Sequence, residues 1–244
     1  MAQQLFALSD DIDIAALARR FAQTGRVQVP DVLTQESARN LRALLATKTE
    51  WGLATKAGET TAVQTLHPKR PQPGDRQKLA GIYAATEDAA KRGDYAFRYA
   101  FYPILDAFNE GWDRGGPHDI LLEHINADPM MELVRALTGF SGLTKADAQA
   151  TLYAPGHFLG VHSDSHVEEG WRVAYVLNLT VDEWRPEWGG YLAFLDAGGD
   201  IEEAFLPRFN TLNLLRVPQS HMVTQIPSFA PVGRHAVTGW FRDR

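Results

Sequence analysis

The chain contains no cysteine among its 244 residues. That excludes disulfides and every thiolate metal site, so any metal must be held by nitrogen and oxygen donors. It has no excess of basic residues: the formal net charge is −6, which leaves no electrostatic footprint for a nucleic acid. It has no apolar run approaching the ~18 residues of a membrane span. Its first residues, M-A-Q-Q-L-F-A-L-S-D-D-I-D-I, carry acids where a secretory signal needs a basic start. These absences lead us to expect a soluble, cytoplasmic protein. It also lacks internal repeats and low-complexity linkers, so one domain spanning 1–244 is the simplest organisation. The 45% hydrophobic content is enough for a sizeable core.

The grain of the sequence changes near residue 146. Before it, residues 1–145 read as a mixed helix and strand supporting region. Apolar positions over 12–23 have helical spacing, and Gly25 stops that helix. V-Q-V at 27–29 alternates like a short strand. Thr34 opens a second helix that carries Leu41, Leu44 and Leu45. Residues 62–66 and 96–102 are strand-like, 76–91 and 118–138 helical, the latter broken near Pro129. H-P-K-R-P-Q-P-G-D at 67–75 is a loop, either a lid or plain exposed connection.

After residue 146 come eight short strand-like segments: 148–154, 159–165, 172–180, 190–196, 201–206, 210–216, 221–226 and 234–242. Gly- and Pro-rich turns separate them. Such spacing predicts a sandwich or barrel. Eight strands fit a jelly roll, also called a double-stranded β-helix, whose two sheets enclose a cavity. The expected class is therefore mainly β with α: a jelly-roll core over 146–244, buttressed by N-terminal helices.

Residues 160–166 read G-V-H-S-D-S-H. On an extended strand, His162, Asp164 and His166 leave the same face. An isolated H-x-D is usually a surface loop. Here, however, His221 opens the seventh segment, and the second and seventh strands of a jelly roll can be neighbours. Two histidines and one carboxylate on one face, with open positions opposite, is the arrangement of non-haem Fe(II) oxygenases. Arg234 begins the last segment. If it points into the cavity it needs an acidic partner, because an unpaired buried charge is costly. Tyr153, nine residues before His162, is placed to donate its hydroxyl to the same partner.

Taken in order, Y-A-P-G-H-F-L-G-V-H-S-D (153–164), W-G-G-Y-L (188–192), N-T-L-N-L-L (210–215), H-M-V (221–223) and R-H-A-V-T-G-W-F (234–241) resemble the 2-oxoglutarate and Fe(II)-dependent dioxygenases, in their prolyl-hydroxylase-like branch. The resemblance covers about 148–242 strongly and the first half loosely. It implies a metal triad of His162, Asp164 and His221, with Arg234 and Tyr153 binding 2-oxoglutarate. Many members carry a serine or threonine two residues after the arginine. Here that position is Ala236, and Thr238 on the same strand face is the substitute hydroxyl. The implied cofactors are Fe(II), 2-oxoglutarate and O2, with ascorbate as a reductant. The implied reaction is hydroxylation of an unactivated C–H bond, in a prolyl residue or proline-like substrate, with release of succinate and CO2. The partner would be a protein, peptide or small-molecule substrate, with neither nucleic acid nor membrane involved.

The resemblance needs only the first two metal-capable residues of the opening stretch, so His166 is expected beyond the metal, at the cavity mouth. His157 and His235 are expected not to bind metal, and His235 should face away from Arg234. Arg172 is a candidate substrate contact, its plainer reading being a surface arginine. Trp188 is expected to pack at a strand start. Two other classes compete: a cupin-like Zn(II) hydrolase or isomerase, and a non-catalytic β-sandwich with a closed structural metal site, in which His166 would be the fourth ligand.

Overall fold

The computed structural model describes residues 6–59, 61–70, 74–164 and 167–244. In chain order the elements are α1 (Ile14–Thr24), β1 (Arg26–Val29), α2 (Gln35–Thr47), β2 (Gly52–Ala57), β3 (Gln64–Leu66), α3 (Asp75–Lys91), β4 (Ala96–Tyr102), α4 (Ile104–Glu110), α5 (Pro117–Ile125) and α6 (Asp128–Thr138). There follow β5 (Lys145–Ala146), β6 (Gln149–Tyr153), β7 (Phe158–Ser163), β8 (Trp171–Asn178), β9 (Leu192–Leu195), β10 (Ile201–Phe205), β11 (Thr211–Arg216), β12 (Ser220–Val223) and β13 (Arg234–Arg242).

Local chemistry sets the helix boundaries. Asp13 caps α1 by accepting from the Ala16 amide at 3.0 Å, and Thr34 caps α2 by accepting from the Ser37 amide at 3.3 Å. Each such cap stabilises its helix by ~1 kcal/mol. Gly25 ends α1 in the left-handed region at φ 71°, its amide donating to Phe21 O at 2.7 Å. A side chain there would be strained, which is why glycine stands at the stop. Pro129 does not break a helix from within. The chain turns at 126–127, and the proline occupies the first turn of α6, where its missing N–H costs nothing.

All eight strands expected after residue 146 form. The first half adds staves of its own to the sheet: the strand-like stretches expected at 27–29, 62–66 and 96–102 form as β1, β3 and β4. The strands run in the order β1-β11-β8-β13-β6-β4-β7-β12-β9-β10, with β2 on β4, β3 on β2 and β5 on β13. Thus β1 is an outer stave against β11. More important, β4 lies in the middle. Its Ala100–Tyr102 half pairs with β6, and Phe97 and Arg98 pair with β7.

The two ends of the path meet through side chains. Arg26 of β1 reaches Glu202 at 3.0 Å and Glu203 at 2.7 Å on β10. Gln28 donates to Leu206 O at 3.0 Å, and Arg20 adds a second contact to Glu203. The result is a nearly closed jelly-roll barrel.

Strand alternation sends one set of side chains out to the helices and the other into the barrel. From β8, β11 and β13, the residues Val173, Leu177, Leu212, Leu214, Val237 and Phe241 pack with α1, α2, α5 and α6. Ala174, Leu215 and Tyr153 join Leu192, Phe194 and Val223 inside. Both faces are buried, so these strands read as nearly continuous apolar runs. Each fully buried Leu or Phe contributes roughly 1.5–3 kcal/mol.

Candidate functional site

His162 on β7 and His221 on β12 are directly opposed in the antiparallel ladder. Opposed residues project from the same face, and the two imidazole centroids are 4.2 Å apart. Asp164 follows two residues after His162 and leaves on the same side. Its Oδ1 is 3.7 Å from His162 Nε2 and its Oδ2 is 3.9 Å from His221 Nε2. One ligand atom from each of the three residues falls within 4.8 Å of the others, the one such group among the described residues.

Each imidazole is oriented by its own strand. His162 Nδ1 is 3.0 Å from Gly160 O, and His221 Nδ1 is 2.8 Å from Gln219 O. A carbonyl only accepts, so the proton of each ring sits on Nδ1 and the lone pair is on Nε2, facing Asp164. Burial, and then the charge of His221, push the His162 pKa down to about 4. Its ring is therefore neutral at pH 7, as a metal ligand requires. The indole Nε1 of Trp240 donates to Asp164 Oδ2 at 3.1 Å. Three protein donors, oriented by these hydrogen bonds and open on the cavity side, fit a divalent metal with free coordination positions.

The triad lines a cavity of about 440 Å³ that Arg234 also lines. Arg234 starts β13 opposite Tyr153 of β6 and is 1% exposed. Its Nη2 donates to Asn178 Oδ1 at 3.3 Å, while its Nε and Nη1 are buried with no partner among the described residues. The guanidinium carbon lies 5.4 Å from the Tyr153 ring centre. Burial lowers its pKa to about 10, which still leaves it charged at pH 7. A buried cation with unspent donors and no carboxylate of the described residues against it is a strong demand for an anionic ligand. A guanidinium fork suits a carboxylate in particular. The residues present thus fit a metal and a carboxylate-bearing co-substrate in one cavity.

Tyr153 and Thr238 both line that cavity. Burial drives the Tyr153 pKa well above its ordinary value, so the phenol keeps its proton and can donate. Ala236 is buried on the same face of β13 and brings no hydroxyl. Sequence reasoning missed several cavity residues: Tyr95 just before β4, Phe97 and Tyr99 on β4, Gln149 on β6, Trp171 on β8 and Trp240 on β13. Trp240 was within reach, because it lies six residues after Arg234 and strand alternation puts both on one face. The β4 residues were not, because nothing in the sequence tells that β4 enters between β6 and β7.

Other expectations resolve differently. Arg172 is not among the residues lining the cavity; its Nε donates to Asp243 Oδ2 at 2.5 Å. The interaction that the described residues give Arg172 is thus a pair with Asp243, just after β13. His157 meets Tyr83 Oη through Nε2 at 2.8 Å, and His235 packs against Trp51 with ring centres 5.9 Å apart. Neither belongs to the group of three. Trp188 packs edge-on against Trp184 at 5.6 Å. His166 lies outside the described residues, as do 71–73 of the 67–75 loop. The described start of that loop is fastened away from the cavity: Lys69 to Glu50 at 2.8 Å, Arg70 to Glu110 at 2.7 Å, and His67 against Trp112. Val63, before β3, is the residue of this region that lines the cavity.

Residues 148–242 match the family described as the 2OG-Fe(II) oxygenase superfamily. Solved structures share the fold across nearly the whole chain. A Pseudomonas putida prolyl-4-hydroxylase is 19% identical with a TM-score of 0.57, over 98% of this chain and 95% of that one. A Trichoplax adhaerens prolyl hydroxylase, solved with a peptide fragment of the hypoxia inducible factor oxygen degradation domain, is 14% identical with a TM-score of 0.59, over 94% and 89%. The non-haem alpha-ketoglutarate-dependent epimerase SnoN from nogalamycin biosynthesis is 13% identical with a TM-score of 0.54, over 94% and 82%. No curated protein sequence matches the chain.

Proposed function

We propose, from the premise that residues 148–242 belong to the 2OG-Fe(II) oxygenase superfamily, that this chain hydroxylates an unactivated C–H bond of a prolyl residue or proline-like ring. The observation that carries the reading is the buried, under-partnered Arg234 in the same cavity as His162, Asp164 and His221. A Zn(II) hydrolase built on the same triad would have no use for that cation.

On this reading His162, Asp164 and His221 hold Fe(II), and Arg234, Tyr153 and Thr238 hold the distal carboxylate of 2-oxoglutarate. Once bound, Fe(II) and 2-oxoglutarate supply the activation of O2, with succinate and CO2 as the co-products. The rest falls to the protein. Gly160 O and Gln219 O keep the two Nε2 lone pairs aimed at one point. The Arg234 fork and the Tyr153 hydroxyl fix the orientation of the co-substrate. Tyr99, Leu159, Leu192, Leu215 and Val223 wall off water, which strengthens every electrostatic contact inside.

Apart from Asp164, Arg234 and the two histidines, every described residue lining the cavity is uncharged. Tyr95, Phe97, Trp171 and Trp240 offer ring faces. A free amino acid would bring an ammonium and a carboxylate with no counter-charge to meet them. A neutral ring, as in an internal prolyl residue, would be well accommodated. Prolyl hydroxylases among the similar structures support this choice.

The test is Fe(II)-dependent succinate formation against proline-containing peptides, free proline and other amino acids, with product mass measured. Peptide-stimulated turnover and a gain of one oxygen atom are expected. Absence of any iron-dependent turnover of 2-oxoglutarate would reject the oxygenase reading. Stimulation by free amino acids alone would reject the neutral-ring substrate.

A further inference from the structure

Trp240 is held from three sides. Its backbone amide donates to Asp147 Oδ1 at 2.7 Å. Its ring stacks on Trp171, with centroids 4.0 Å apart and planes 24° from parallel. The other end of the frame is Arg242, which pairs with the same Asp147 and places its guanidinium carbon 5.3 Å from the Trp171 ring centre. Asp147 is itself buried, and burial raises its pKa against the opposing pull of the Trp240 amide and Arg242. The frame leaves the Trp240 indole with one free group, its N–H, and that N–H is given to Asp164 Oδ2 at 3.1 Å.

Asp164 has two oxygens facing two histidines, Oδ1 towards His162 and Oδ2 towards His221. A carboxylate so placed can engage a cation through one oxygen or both. Using both would consume a coordination position that a chelating co-substrate and O2 need. A hydrogen bond to one oxygen withdraws its electron density and fixes the carboxylate plane, as outer partners of metal ligands do.

We propose that Trp240 is a positioning residue: its indole N–H, aimed by the Asp147–Arg242–Trp171 frame, holds Asp164 to metal binding through a single oxygen and so keeps the third position open. The inference rests on the metal reading of His162, Asp164 and His221.

The experiment uses the full chain with Co(II) as the probe, titrated by its visible absorption, in wild type, Trp240→Phe and Trp171→Phe. Near-UV circular dichroism and Tm establish that each variant folds. Trp240→Phe keeps a ring in place and removes only the donor and the outer part of the indole. It is expected to bind Co(II) ten- to a hundred-fold more weakly, with an altered visible band shape that reports a changed coordination number. Trp171→Phe, which keeps the Trp240 N–H, is expected to lose less than threefold. An unchanged affinity and spectrum in folded Trp240→Phe would overturn the proposal. So would equal losses in both variants, since packing rather than the N–H would then be responsible. Failure of wild type to bind Co(II) at all is a different result: it removes the metal reading itself, and this inference with it.

Discussion

His221 lies directly across the ladder from His162, although the two residues come from strands separated by more than fifty residues of chain. The pairing of β7 with β12 places both Nε2 atoms against one carboxylate. His221→Ala removes one of three donors from a site that has no described fourth. Iron-dependent succinate formation should fall by at least a hundredfold, with Tm in EDTA changed by less than a few degrees. Normal turnover in the folded variant would take His221 out of the site.

Arg234 gives a prediction with two opposite signs. In the ligand-free protein its charge is buried and only partly satisfied. Replacing it with methionine, of similar length and no charge, should leave apo stability unchanged or raise it. The same change should weaken 2-oxoglutarate by about 10–100-fold, the worth of a charge-assisted pair of ~1.5–3 kcal/mol. Thermal shifts with and without 2-oxoglutarate read both effects. A variant that loses apo stability yet keeps its full co-substrate shift would reassign the arginine to the structure.

His235 sets an acid limit on stability. Burial first, and then the charge of Arg42, bring its pKa from 6.5 to about 4. The unfolded chain takes up a proton as pH falls through 6.5, and the folded chain resists until about 4. Between those values the unfolded state binds more protons, so stability is full above pH 6.5 and declines as pH drops. The expected loss at pH 5 is roughly 1–2 kcal/mol. His235→Leu should show a smaller fall in Tm between pH 7 and pH 5 than wild type, both in EDTA. Parallel falls would assign the acid sensitivity elsewhere.

Arg98 bolts α3 to the sheet. It is 2% exposed. Its donors reach Gly156 O at 2.9 Å, Tyr83 O and Thr86 Oγ1 at 3.0 Å each, and Glu87 at 3.0 Å. Arg98→Ala leaves buried acceptors unmet and should cost about 3 kcal/mol, or a fall in Tm of roughly 6–12 °C. Amide exchange should quicken most in 75–91. Exchange that rises uniformly, or only in β7, would mean that the bolt is not specific to the helix.

Much of this was readable from residue order alone, and the exceptions have physical causes. The eight C-terminal strands are legible because Gly- and Pro-rich turns bound each one. The caps at Thr34 and Gly25 announce α1 and α2 as plainly. The short helix α4 and the strand β2 are not announced. G-L-A-T-K-A has a single β-branched residue and no aromatic, and it forms a strand because β3 and β4 flank it. The triad was legible as a pattern, but its orienting groups were not. Gly160 and Gln219 act through backbone carbonyls, which every residue has. The pairing of Arg172 was not legible, because its place near the start of β8 says nothing of Asp243, seventy-one residues on.

The placement of β4 has a further consequence. Every candidate ligand lies after residue 150, so the C-terminal half looks as if it could be excised and still work. Yet β7, with His162, reaches β6, the neighbour of Arg234's strand, only across β4. The span between the His162–Asp164–His221 group and Arg234 is thus measured out by residues 96–102. Expressed alone, 146–244 would have an internal gap where that strand belongs, and its two halves would have no common register. During synthesis, too, β4 leaves the ribosome with both of its later neighbours still unmade, and must wait for them.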